Sequence, residues 1–376
     1  MATDIFSKLQ EIGRNATRIV RVEESREFAV QGESARIKEA SLEVTELDAT
    51  ICRGIPVRST VGVDSSSRVI DTPYMFIAVA TATGVSRVGL RAYDIPSPSS
   101  LLSHRDNKYI LVIPEVEPFN HQVLDELGVE YKDPSSRPYP PGYNKALALE
   151  EHRVNLENMI LSEVLGWGEV VLLDGPLFLP SHPVTEARGS SKLINVYKEN
   201  WEILMKRRLS IVEKINSSSR VYGVVKRLQY THILSRDDPF NLGVTNVSDQ
   251  AYLSISTERI FRGKPTKPIV IGPLHVSSGF NGTSVERTMW YLSIPRRLTG
   301  GGLGSFTFYR VEEIGYRNSL EDLQPVIFDS ICSGTSLPVS ILLADQRVKK
   351  LSEAITRQIV LAVGATREST LQYLTL

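Results

Sequence analysis

The chain has 376 residues, 41% of them hydrophobic, enough for one large domain or two ordinary ones with a sizeable core. Its 43 basic and 43 acidic residues cancel, which excludes nucleic-acid binding by overall positive charge and leaves only segregated charge to steer a polyanion. The two cysteines, Cys52 and Cys332, form no spacing motif; this argues against a disulfide framework or a thiolate zinc site and predicts two reduced, buried thiols in a cytoplasmic protein.

The first 25 residues read as a helix with Ile5, Phe6, Leu9, Ile12 and Ile19 on one face. Charges run through this segment, so it lacks a signal-peptide core, and no stretch of the chain approaches the ~18 apolar residues needed to cross a bilayer. Residues 26–58 are mixed and charged, and complete an N-terminal extension over 1–58. Residues 59–64, 74–84 and 86–93 are predicted as consecutive strands of a meander, with "DSSS" forming a polar turn after the first. A Pro- and Ser-rich loop, a short strand over 109–116 and the loop "YKDPSSRPYPPGYN" set residues 94–143 apart as an insertion.

The pattern then changes. Residues 145–165 carry Leu147, Leu149, Val154, Leu156, Ile160, Leu161 and Val164 at helical spacing, and "GWG" supplies a glycine stop. "EVVLLDGPL" follows as a buried strand, a helix covers about 191–215, and "RVYGVVKRL" (220–228) is another buried strand. Alternating helix and strand implies crossover connections and parallel pairing, hence an α/β sheet flanked by helices. Residues 229–282 read as loop, short helix and irregular chain. Residues 284–295 and 306–314 read as antiparallel strands joined by "LTGGGLG", and the remainder is helical.

Two acids stand at comparable places. Asp64 ends the first predicted strand and Asp174 ends the strand "VVLLD". A turn aspartate explains Asp64 alone, but if the two strands are neighbours their carboxylates emerge together. Like charges at that range need a divalent cation, and Mg2+ and Mn2+ prefer oxygen ligands. Two such ions ~3.5–4 Å apart can activate water and stabilise the leaving oxygen of a phosphodiester. Glu157, four residues after Arg153 on the long helix, is either a third ligand or half of an i,i+4 surface pair. Asp345, in "LLADQRV", either points to the same sheet edge or faces solvent. Lys226 ends the third strand, where it can meet a phosphate or extend from the core to water. Arg296-Arg297, Lys206-Arg207-Arg208 and Arg347/Lys349-Lys350 are either tracks for a nucleic-acid backbone or solvated faces. The six histidines form no HExxH pair, and GxSxG and Walker A sequences are absent.

The order "GVDSSS", Arg153 and Glu157 on a helix, "VVLLDGPL", a strand ending "GVVK" and a late "P…LLAD" helix resembles the archaeal and bacterial NurA nucleases, from about residue 55 onward. The resemblance implies a ribonuclease H-like core over 59–376 and a Mn2+- or Mg2+-dependent deoxyribonuclease with one or two ions. It implies 5′-to-3′ exonuclease and single-strand endonuclease action on DNA. A homodimer working with a HerA-type hexameric translocase in DNA end resection is implied as well. It assigns Asp64, Glu157 and Asp174 as metal ligands, adds Lys226 to the catalytic set, and places Arg153 before the helix acid; Asp345 is expected as a further ligand because carboxylate oxygen suits manganese as imidazole does. Arg296 and Arg297 are further expected DNA contacts. One departure is visible: Leu337 stands where the family usually has tyrosine, and Asp345 where it usually has histidine. A non-catalytic DNA-binding clamp that stimulates a translocase is the alternative reading. A metal-independent two-carboxylate glycosidase is a third, disfavoured by having only three tryptophans for sugar stacking.

Overall fold

In this computed structural model the described residues are 21–24, 36–40, 43–48, 50–54, 59–71, 75–89, 91–103, 107–114, 121–140, 142–168, 170–179, 191–216, 219–261, 267–280, 282–295 and 306–362. The elements begin with β1 (Arg21–Glu24), β2 (Arg36–Ala40), β3 (Val44–Glu46) and α1 (Ile51–Gly54). They continue with β4 (Thr60–Asp71), β5 (Met75–Ser86), β6 (Ala92–Ile95), α2 (Pro98–Ser103), β7 (Asn107–Pro114), α3 (His121–Leu127) and β8 (Val129–Glu130). Next come α4 (Lys145–Glu163), β9 (Val170–Asp174), α5 (Ser191–Asn216), β10 (Arg220–Val225), α6 (Ile233–Asp237) and α7 (Asp249–Phe261). The chain closes with β11 (Ile269–Phe280), β12 (Thr283–Pro295), β13 (Phe306–Ile314), α8 (Gln324–Asp329) and α9 (Val339–Ala362).

The strands join one mixed sheet in the order β2-β11-β12-β13-β10-β9-β4-β5-β7-β8, with β1, β3 and β6 pairing at its margins. Its centre is parallel: β4 runs with β9, and β9 with β10. The expected crossovers supply the helices between them. Because helices cover both faces, these strands are apolar in succession, and side-chain parity decides which layer each residue meets. Val61, Val63, Val171, Leu173 and Val221 pack with Leu147, Leu156 and Ile160 of α4, with Val164 at its C-terminal cap, and with Ile211 and Val212 of α5. The alternate residues Val170, Leu172, Tyr222 and Val224 pack with Val326, Ile327 and Ile341 of α8 and α9. Asn144 caps α4, accepting from the backbone N–H groups of Ala146 and Leu147.

Several expectations are revised. Residues 21–24 are a strand antiparallel to β4, not the end of a helix; residues 1–20 lie outside the described residues. β4 does not stop at Asp64. It runs through Ser65–Ser67 to Asp71, paired to β5 along its length, so sheet pairing overrides the turn preference of serine. The strand expected over 86–93 is instead a turn followed by β6. In the region read as loop, short helix and irregular chain, α7 meets the helix expectation, but the long strand β11, whose register shifts between Ile271 and Leu274, is unexpected. Cys52 and Cys332 are not free thiols. They form a disulfide with Cα atoms 5.4 Å apart, across 280 residues, where no local spacing could announce it.

His152 on α4 is 4% exposed, and burial lowers its pKa to about 4; the carbonyls of Tyr109 and Lys108, which favour the charged ring, do not offset this. A folded pKa below the ordinary 6.5 gives stability that is present above pH 6.5 and is lost as pH falls through 4. Chemical denaturation of wild type and His152→Gln between these pH values should show an excess loss of about 3 kcal/mol in wild type, at ~1.36 kcal/mol per pKa unit.

Candidate metal centre

Strand parity builds the centre. The β4–β9 register pairs Val63 with Leu173, so Asp64 and Asp174 follow side by side at the next position. Asp174 is opposite Val224 of β10, and Lys226 lies two residues further, on the same face. That is the face covered by α9, which brings Asp345. Gly175 holds φ at +123°, a conformation open to glycine, and lets the chain turn away directly after Asp174.

Carboxylate oxygens of Asp64, Asp174 and Asp345 all lie within 4.8 Å of one another. Lys226 Nζ donates to Asp174 Oδ2 at 2.5 Å and is 3.9 Å from Asp345 Oδ1. Lys349, one turn along α9, is 2.9 Å from Asp345 Oδ1. Asp64 is 4% exposed and accepts from the Ser65 N–H at 2.7 Å. Burial first, then the charges of Asp174 and Asp345, push its carboxyl well above the usual range; Lys226 and Arg153 pull the other way. Burial opposes the charge on Lys226, but Asp174, Asp64 and Asp345 together raise its pKa. An ammonium therefore offsets negative charge that the three acids cannot carry alone. Three hard oxygen donors around that charge deficit suit Mn2+ or Mg2+.

Glu157 comes from the other layer. Ser65 has the opposite parity to Asp64 and faces α4; its hydroxyl donates to Glu157 Oε1 at 2.5 Å and accepts from Arg153 Nε and Nη2 at 3.2 and 3.1 Å. Arg208 Nη2 of α5 donates to Glu157 Oε2 at 2.5 Å, and Arg153 Nη2 stands 3.8 Å from Oε1. Glu157 is thus outside the group of three acids. Even so, a cavity of about 130 Å3 is lined by Glu157, Asp174, Lys226, Arg153, Arg208 and Arg310 among others, so the two layers open onto one space.

Arg153 lines this cavity from a nearly buried position and also pairs with Glu150 at 3.0 Å. Arg208 is buried, which corrects its reading as part of an exposed basic track. Arg347 clamps Asp94 through Nε and Nη2 at 2.7 and 2.6 Å. Leu337, at the expected tyrosine position, packs against the cluster that contains Ile341. Arg296 and Arg297 lie outside the described residues. Sequence reasoning missed Ser65 and Arg208 as partners of Glu157. The adjacency of Ser65 to Asp64 on a strand flanked by two helical layers was the one available signal.

The model of the NurA domain matches residues 58–349. The chain belongs to the NurA family. Solved structures similar to it include the NurA nuclease from Sulfolobus solfataricus, 15% identical, covering 86% of each chain with a TM-score of 0.45. A NurA bound to dAMP and manganese is 10% identical, covering 87% of this chain and 92% of that one, TM-score 0.46. A NurA with manganese is 11% identical, covering 85% and 93%, TM-score 0.41. No curated protein matches the chain.

A raised carboxyl pKa means that ionised Asp64 costs folding stability increasingly as pH rises above the unfolded value of 3.8, and a cation reverses this. Metal-free Asp64→Asn should therefore melt higher than metal-free wild type at neutral pH. Mn2+ at a hundred times its Kd should stabilise wild type by about 2.7 kcal/mol. Differential scanning calorimetry should show that gain abolished in the variant.

Proposed function

We propose that this protein is a divalent-metal-dependent deoxyribonuclease that hydrolyses DNA phosphodiesters, with 5′-to-3′ exonuclease and single-strand endonuclease action. The observation that carries this reading is the convergence of Asp64, Asp174 and Asp345 within the NurA domain. The cavity beside Asp174, lined by Lys226, Arg153, Arg208, Arg227 and Arg310 as well as by Glu150 and Glu157, also suits an anionic substrate drawn to a cation site.

Asp64, Asp174 and Asp345 would hold the ion, with Glu157 facing the same cavity from the α4 side. A bound Mn2+ or Mg2+ supplies Lewis-acid polarisation of the phosphate and lowers the pKa of water. Lys226 keeps its positive charge at the rim of the acids, where it offsets charge on the phosphate during displacement. Arg153 and Arg208 fix Glu157 so that its carboxylate does not drift. Phosphodiester hydrolysis here needs no covalent enzyme intermediate.

The biological setting belongs to the same proposal: a homodimer acting with a HerA-type hexameric translocase in DNA end resection and double-strand-break repair. Family membership supports it. Among the described residues no helix is long and apolar enough to cross a membrane.

Labelled single- and double-stranded DNA incubated with Mn2+ should be cut by wild type and spared in EDTA. Asp64→Ala and Asp174→Ala, each folded by circular dichroism, should lose at least about a thousandfold in rate, or ~4 kcal/mol of barrier. Undiminished metal-dependent cleavage by either variant would refute the assignment.

A further inference from the structure

The acids of the centre come from three supports, the neighbouring strands β4 and β9 and the helix α9, and only a fixed crossing of strand and helix brings Asp345 to Asp64. Three successive residues on one face of β4 meet that helix or its anchor: Thr60, Gly62 and Asp64. At Gly62 the two backbones touch. A Cβ there would lie 2.1 Å from the Ser340 carbonyl oxygen and 2.4 Å from its carbon, so only glycine allows the helix to rest on the strand. From this crossing, two residues along β4 advance about 6.6 Å and five along α9 about 7.5 Å, which brings Asp64 and Asp345 level.

One side chain outside the centre locks the crossing. Asp329, the last residue of α8, is fully buried. Its Oδ1 accepts from Thr60 Oγ1 at 3.1 Å and from Arg87 Nη1 at 2.8 Å. Its Oδ2 accepts from the backbone N–H and the hydroxyl of Ser340, at 2.9 and 2.5 Å. A single carboxylate therefore ties the start of β4 to the first turn of α9, where negative charge is favoured by the helix dipole. Arg87 compensates the buried charge.

We infer that Asp329 is a positioning residue for the metal centre: through Thr60 and Ser340 it sets the strand–helix offset that holds Asp345 beside Asp64 and Asp174. It touches none of the three acids among the hydrogen bonds described for it, and it acts through the two elements that carry them. This inference rests on the metal-centre reading and deepens it. Asn at position 329 keeps an acceptor oxygen but loses the charge that pairs with Arg87 and the second acceptor that Ser340 uses. The helix start then loosens while the acids remain.

The test is Mn2+ titration of the full-length protein by isothermal calorimetry, with wild type beside Asp64→Ala, Asp329→Asn and Thr60→Val. Loss of binding in Asp64→Ala establishes the acid site independently. Wild type that binds no Mn2+, or binds it equally in Asp64→Ala, overturns the metal reading and the inference with it. Given an acid site, folded Asp329→Asn should bind Mn2+ about 10- to 100-fold more weakly, the range seen when groups supporting metal ligands are removed. Thr60→Val should weaken binding in the same direction by less. Cleavage by both variants should climb back toward the wild-type rate at saturating Mn2+. A purely structural anchor would lower the melting temperature and leave Kd alone, so unchanged Mn2+ affinity in folded Asp329→Asn overturns the inference. If that variant fails to fold, Thr60→Val decides by the same reading of Kd.

Discussion

Three carboxylates from separate parts of the chain converge within 4.8 Å in a half-buried place, and their mutual repulsion is the constraint around which the centre is arranged. Negative charge held that closely must be compensated. Without a metal the compensation comes from Lys226, whose ammonium contacts Asp174 and stands near Asp345, and from Lys349 on the outer side of Asp345. Two lysines cannot fully relieve Asp64, which is the most buried of the three acids. Three carboxylate oxygens at this spacing suit a divalent cation, which is the reading proposed for the site.

The parity of one strand divides the surroundings of the three acids. Asp64 points toward α9 and the other two acids; Ser65, its neighbour, points toward α4 and Glu157. The α4 side is a closed ion-pair and hydrogen-bond network of Glu157, Arg153, Arg208 and Ser65, while the α9 side is an open cluster of like charges. Buried networks of the first kind hold geometry because breaking one partner strands another. Clusters of the second kind store affinity for a ligand. β4 couples the two, since any shift of the strand moves both Asp64 and Ser65.

Much of this was legible in the chain. The run "VVLLD" ending at Asp174, the helix bearing Arg153 and Glu157, and the strand before Lys226 all lie where apolar pattern placed them. Those signals are strong because parallel strands covered on both faces are continuously apolar and long helices repeat their stripe. β4 was less legible: its serines carry local turn preference, whereas their pairing with β5 is a long-range property. β11 was hidden by Gly272-Pro273 in its middle, residues that weaken a strand reading but here sit at a break in register. Helix spacing alone could not separate Glu157 as ligand from Glu157 as ion-pair partner, because Arg208 lies 51 residues away. The Cys52–Cys332 disulfide and the contacts of Asp329 likewise join parts of the chain that only the folded sheet brings together.

The central claim is that Asp64, Asp174 and Asp345 grip one shared site. Anomalous diffraction from crystals soaked in Mn2+, recorded at the manganese edge, tests it most directly. The account predicts a peak bonded to carboxylate oxygens of Asp64 and Asp174, with Asp345 in the same coordination sphere. A manganese peak elsewhere, with Asp174 and Asp345 left paired to Lys226 and Lys349, would contradict it.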